Sequence, residues 1–143
     1  VNAWLYWTGA IPGDNDEGLI NVYKDTDTYQ LTKRYYAFGN YSKFIRPGYV
    51  RIGTEDRPMK GVYLSAYRNP DTDEFTIVVV NDRDSTAELN LFPEGFDSAG
   101  LTPYITNDSL NMERGHDIVS ESRKYKILLS PRSVVTFVGE KNI

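Results

Sequence analysis

Phe75-Thr76-Ile77-Val78-Val79-Val80-Asn81, then the turn Asp82-Arg83-Asp84, then Thr86-Ala87-Glu88-Leu89-Asn90-Leu91-Phe92 decide the fold class. The first run is rich in β-branched residues and too short for a typical helix, which marks a strand. Side chains alternate across a strand, so Phe75, Ile77 and Val79 face one way while Val78 and Val80 face the other. Apolar residues on both faces predict a central strand covered on both sides. In the second run Ala87, Leu89 and Leu91 share one face and Glu88 and Asn90 the other, the pattern of a sheet with one wet face.

Outward from this pair the same period of two recurs. Strands are predicted near Tyr49 to Thr54, Val62 to Arg68, Leu101 to Thr106, Ile118 to Ser120, Tyr125 to Ser130 and Ser133 to Gly139, with turn signals such as Asn69-Pro70-Asp71 between them. Seven to eight short strands at this spacing predict a mainly β protein, an antiparallel β-sandwich or barrel. Upstream of Gly48 the period is 3.6. Leu31, Tyr35, Phe38, Tyr41/Ser42 and Ile45 recur at helical spacing, and Asp27 with Gln30 reads as a capping-box-like start. The spacing predicts a helix over 28–46, ended by Pro47, because a residue before proline is pushed out of the helical region. This helix is the candidate cover for the Phe75–Asn81 strand. Residues 2–8 carry large side chains on both faces, Trp4 and Tyr6 against Ala3, Leu5 and Trp7, and predict a buried strand. A long Gly-, Pro- and acid-rich loop follows, within which Leu19 to Tyr23 is a short extended stretch.

Composition narrows the function classes. At 143 residues, with 40% apolar and 13% aromatic side chains, the chain accommodates one domain plus an appendage. Sixteen basic against twenty acidic residues, net charge −4, with no Lys/Arg run, argue against nucleic acid as a partner. No apolar stretch reaches the roughly 18 residues of a membrane span, so no membrane partner is expected. There are no cysteines, hence no disulfide and no thiolate metal site. The eleven tyrosines suit interlayer packing first and sugar-binding surfaces second. The chain starts at Val1 and is at once in the apolar run Asn2-Ala3-Trp4-Leu5-Tyr6-Trp7, which reads as a start in the middle of a fold.

The segment Leu31-Thr32-Lys33-Arg34-Tyr35-Tyr36-Ala37-Phe38-Gly39-Asn40-Tyr41-Ser42-Lys43-Phe44-Ile45-Arg46-Pro47-Gly48-Tyr49-Val50-Arg51-Ile52 resembles the junction between barrel and side domain in glycoside hydrolase family 30, most of all the bacterial endo-β-1,4-xylanase branch. Val62-Tyr63-Leu64-Ser65-Ala66-Tyr67, Thr76 to Asn81 and Ser133-Val134-Val135-Thr136-Phe137-Val138 extend the likeness, which thins between Glu94 and Arg123. The resemblance implies that residues 1–48 are the last strand and helix of a (β/α)8 barrel and 49–143 a β-sandwich side domain. It implies the C-terminal, non-catalytic portion of a retaining glycosidase acting on a β-linked plant polysaccharide, secreted by a bacterium, whose further partner is the rest of its own barrel.

A retaining glycosidase needs two carboxyl groups roughly 5–5.5 Å apart. By resemblance they lie on the fourth and seventh barrel strands, which this sequence does not contain, so no catalytic residue is assigned and the isolated chain is expected to be inactive. Asp14, Asp16 and Glu17 crowd one loop without the rigidity that catalysis needs, and without the ligand spacing of a calcium hand. His116 has no second His or Cys to share a metal, and reads as an ordinary surface histidine; no metal and no cofactor are expected. The sequons Asn40-Tyr41-Ser42 and Asn107-Asp108-Ser109 arise often by chance and carry no functional claim.

Trp7 is the substrate-binding candidate. By resemblance it matches the aromatic residue closing the eighth barrel strand, whose flat face stacks on a sugar ring; a tryptophan packed in the barrel wall is the alternative for it and, more so, for Trp4. Glucuronate-dependent xylanases carry an arginine and aromatic cluster after this position, where Thr8-Gly9-Ala10-Ile11-Pro12-Gly13 has no cation. Independence of a glucuronate side group is therefore expected of the parent enzyme. The rival readings are a stand-alone carbohydrate-binding β-sandwich module, which rests on fold analogy, and a generic structural sandwich. An unpartnered strand over 2–8 is expected to pair with another copy, rearrange or lose order.

Overall fold

The computed structural model describes residues 3–96, 100–120 and 122–139. Strands β1 (Ala10–Pro12), β2 (Ile20–Tyr23) and β3 (Thr28–Leu31) precede helix α1 (Lys33–Ser42). Strands β4 (Val50–Ile52), β5 (Val62–Arg68), β6 (Phe75–Asn81), β7 (Ala87–Leu91), β8 (Gly100–Thr106), β9 (Asn111–Arg114), β10 (Ile118–Val119), β11 (Tyr125–Leu129) and β12 (Ser133–Gly139) follow.

The mainly β, antiparallel architecture predicted from the alternation is present. One sheet runs β10-β8-β12-β6-β5-β4, with β9 added on β8, and the second is the pair β11-β7. The two pack face to face. Val62, Phe75, Ile77, Val79, Val135 and Phe137 of the large sheet meet Ala87, Leu89, Leu91, Tyr125, Ile127 and Leu129 of the small one. Glu88 and Lys126, on the wet side of the small sheet, form a cross-strand ion pair of 3.1 Å. β6 is central, as its two apolar faces predict, with β5 and β12 on either side in the register Ser65↔Val78 and Thr136↔Val78.

Helix α1 covers the outer face of the large sheet. The bond that fixes it comes from Asn40, fully buried, whose Nδ2 donates to the Tyr104 carbonyl (2.9 Å) and to Thr136 Oγ1 (2.9 Å). In return Thr106 Oγ1 donates to Asn40 Oδ1, and Thr136 Oγ1 to the Asn40 carbonyl at 2.6 Å. Phe44 packs on Tyr104 with ring centroids 4.5 Å apart. The side chain of Tyr41 reaches Ser65, and burial pushes its hydroxyl above the ordinary tyrosine value. Val78 thus lies in register between the two strand positions that the helix touches, and is fully buried.

Three expectations need correction. The helix begins at Lys33, not at residue 28: Thr32 is the N-cap, its hydroxyl accepting from Tyr35 N–H at 3.3 Å. Residues 28–31 are instead drawn into an antiparallel ladder with β2, and Asp27, at φ 56, is a turn residue in the left-handed region. The ladder satisfies backbone groups that a longer helix would have used, and it puts apolar residues on a shared face. Second, the strand expected over 2–8 does not form in its described part, residues 3–8, and Asn2 lies outside the described residues. A barrel strand is stabilised by hydrogen bonds to neighbours on both edges; here pairing starts only at the Thr8 and Gly9 carbonyls, which accept from Leu19 N–H (3.1 Å) and Ile20 N–H (2.9 Å). Third, β9 was not anticipated. Its residues Asn111-Met112-Glu113-Arg114 show no apolar alternation because it is an edge strand, joined through a bulge at Ile105/Thr106.

Candidate functional site

The aromatic segment 3–7 keeps the two faces read from its sequence although it forms no ladder. Trp4 and Tyr6 turn toward α1, their ring centroids 5.5 and 6.1 Å from that of Phe38. The Tyr6 hydroxyl donates to the Glu17 carbonyl at 2.8 Å, anchoring the segment to the loop. Leu5 and Trp7 point away, 90% and 86% exposed. The peptide after Trp7 is cis. Trp4, although turned toward Phe38, is itself 70% exposed.

Beyond Trp7 the chain builds a small sheet, β1-β2-β3, in which β1 is parallel and β3 antiparallel to β2. Gly18 permits the close approach: a Cβ there would lie 2.6 Å from Ile11 Cγ2. Ala10 pairs with Ile20, Val22 with Tyr29 and Ile20 with Leu31, so these five residues share one face. Sequence reading missed this hairpin; the signal was there in Ile20/Val22 and Tyr29/Leu31 flanking the turn residues Lys24-Asp25-Thr26-Asp27, and it was masked by reading Asp27 as a helix cap.

The acidic loop holds Asp14, Asp16 and Glu17 among local hydrogen bonds. Asp14 accepts from the Tyr23 hydroxyl, which the carboxylate holds above the ordinary tyrosine value, and Gln30 Oε1 lies 3.1 Å from the same hydroxyl. Asp16 faces Arg34, 3.8 Å between charged groups, and its carbonyl also accepts from the guanidinium. Asp14 and Asp16 are thus each bound to a local partner, while Glu17 is engaged through its backbone, its carbonyl by Tyr6 and its N–H by Asn15. Among the described residues no three His, Cys, Asp or Glu side chains converge as a metal-holding group. His116 is exposed between β9 and β10, next to Asp117, whose carboxyl is held below the usual range by bonds from Thr102 and Arg114. Asn40, first of the sequon residues, is buried and fully engaged with the sheet, so its role is architectural.

No protein-family model matches the sequence. The glucuronoxylanase XynC of Bacillus subtilis is 32% identical over 111 residues, 78% of this chain and 26% of that protein. Among solved structures, a GH30 endoxylanase from Clostridium papyrosolvens C71 superposes with a TM-score of 0.74 at 29% identity, covering 84% of this chain and 30% of that one. The catalytic domain of the GH30 xylanase C from Talaromyces cellulolyticus gives 0.78 at 27% identity, over 95% of this chain and 30% of that one. Fold and sequence define a region of a glycoside hydrolase. In particular, the likeness is to the C-terminal part of the glycoside hydrolase family 30 xylanases. It spans about a quarter of the length of the curated relatives it matches.

Proposed function

We propose that this chain is the non-catalytic C-terminal portion of a retaining, secreted glycosidase that cleaves a β-linked, xylan-like plant polysaccharide. In this reading residues 1–48 complete a (β/α)8 barrel, residues 49–143 are the side domain that buttresses it, and Trp7 forms one wall of the cleft. The carrying observation is the two-faced segment 3–7: one face lies on α1, as a barrel strand lies on its helix, while Leu5 and Trp7 present bare apolar surface at the segment's C-terminal end, the side on which barrel active sites are built. The Asn40 network then supports a mechanical role, since it clamps the helix beside that segment to the sandwich.

The parent's independence of glucuronate follows from the loop. The two Bacillus subtilis relatives are named glucuronoxylanases, but residues 8–13 here offer no cation with which to hold a carboxylate, and Arg34, the nearby guanidinium, is taken by Asp16.

The test is hydrolysis of linear xylo-oligosaccharides and of glucuronoxylan by the intact protein, beside the 143-residue chain alone. Both substrates should be cut by the intact protein and neither by the chain. Strict dependence on glucuronate refutes the specificity; turnover by the isolated chain refutes the non-catalytic role. Trp7→Ala in the intact protein should lower kcat/KM by about tenfold or more, the loss of a stacking face. Tight binding of the isolated chain to insoluble xylan, equal to that of the intact protein, would favour the stand-alone binding module instead.

A further inference from the structure

The small sheet that follows Trp7 has a partly open face. Ala10, Ile20 and Val22 make its floor, and Tyr29, 69% exposed, stands on it with Lys24 and Asp27 at the rim; together they bound a shallow groove of about 450 Å³. The groove is tied to the Trp7 segment by the bonds from Leu19 and Ile20 to the Thr8 and Gly9 carbonyls, so the two surfaces are held at a fixed spacing. We propose that this face is a second sugar-contacting surface, continuous with the Trp7 wall, on which Tyr29 stacks against a distal unit of an uncharged β-linked glycan; the inference rests on the glycosidase reading above.

Three features argue for that occupant. A pyranose ring offers a face of C–H groups and an edge of hydroxyls, which matches an apolar floor carrying one aromatic ring and a few polar groups at the margin. The charge selects among glycans: between Thr8 and Leu31 one lysine stands against the five carboxylates of Asp14, Asp16, Glu17, Asp25 and Asp27. Such a field repels a uronate and leaves a neutral chain unaffected. Tyr29 is also free to act. Among the described residues its ring lies against no other aromatic ring, whereas Tyr23, in the adjoining strand, has its hydroxyl committed to Asp14.

The experiment compares chain lengths in the longest native polypeptide containing this sequence. Wild type, Tyr29→Ala and Tyr29→Phe are assayed for kcat/KM on xylohexaose and on xylotriose. A distal contact predicts that Tyr29→Ala loses about fivefold on the hexamer, changes by less than about twofold on the trimer, and is restored by Tyr29→Phe, which keeps the stacking face. Equal losses on both substrates would mark a packing role and overturn the proposal, as would no loss on the hexamer, or a loss in Tyr29→Phe as large as in Tyr29→Ala. If the wild type cleaves no β-linked glycan, the underlying glycosidase reading fails first, and the wild-type control distinguishes that failure from a failure of Tyr29.

Discussion

Asn40→Ala is expected to uncouple α1 from the sandwich. The substitution deletes a side chain with no solvent exposure whose amide serves three strand groups: the Tyr104 carbonyl, the Thr136 hydroxyl and the Thr106 hydroxyl. Thr136 keeps its donor bond to the backbone carbonyl of residue 40, and Thr106 still accepts from Met112 N–H at 3.1 Å, so neither hydroxyl is wholly orphaned. What is lost is one acceptor for the Thr106 proton and the donor to the Tyr104 carbonyl. A buried polar group left unpaired costs about 1–3 kcal/mol, and the cavity left by the amide adds to it, so a loss of about 3 kcal/mol is expected. For a domain of this size that is a fall in Tm of about 6–12 °C. Calorimetric or dichroism melting of the wild type, Asn40→Ala, Thr136→Val and the double variant measures it. The cycle should show a coupling of about 1 kcal/mol or more, because the two side chains share a bond. A melting point for Asn40→Ala within 1–2 °C of wild type, or strictly additive effects, would refute the view that this residue clamps helix to sheet.

Arg132 bonds to Asp84 (2.8 Å) and Asp82 (2.6 Å), and this guanidinium holds the Asp84 carboxyl below its ordinary range. A carboxyl depressed on folding stabilises above its unfolded pKa and loses that contribution as pH falls through the folded value, so Arg132→Gln should be less stable than wild type near neutrality, with the gap closing below about pH 4 in urea melts across pH. Tyr41, whose hydroxyl burial pushes up, favours the neutral form on folding; its contribution is present below the ordinary tyrosine pKa and lost above it, so Tyr41→Phe should remove a late phenolate step from an alkaline absorbance titration. Gly139→Ala should destabilise by about 1–3 kcal/mol in chemical denaturation, because the new methyl would lie 2.2 Å from the Phe75 ring and the core cannot yield that far.

The sandwich was legible in the sequence, while the way the front of the chain joins it was not. Two-residue alternation in Phe75–Asn81, Ala87–Leu91 and Tyr125–Leu129 specifies which face of each strand is apolar, and burying those faces leaves sheet against sheet as the outcome. The 3.6-residue period located α1 but not its ends, and the resemblance at Leu31–Ile52 pointed to the family whose members it is similar to. Local pattern does not say which of two permitted pairings a short segment takes. Thr28–Leu31 could extend the helix or pair with β2, and the ladder wins because it satisfies the backbone of both segments at once. The strand propensity of residues 3–8 produced no strand, since a ladder requires a neighbour and propensity supplies none. Asn40 reads in sequence as one polar residue in a helix and a chance sequon; only the approach of β8 and β12 from more than sixty residues away makes it the hydrogen-bonded centre of the helix–sheet contact. Alternation and period are properties of neighbours along the chain and survive in the sequence, whereas long-range hydrogen-bond partners exist only after the chain has folded and brought them within about 3 Å.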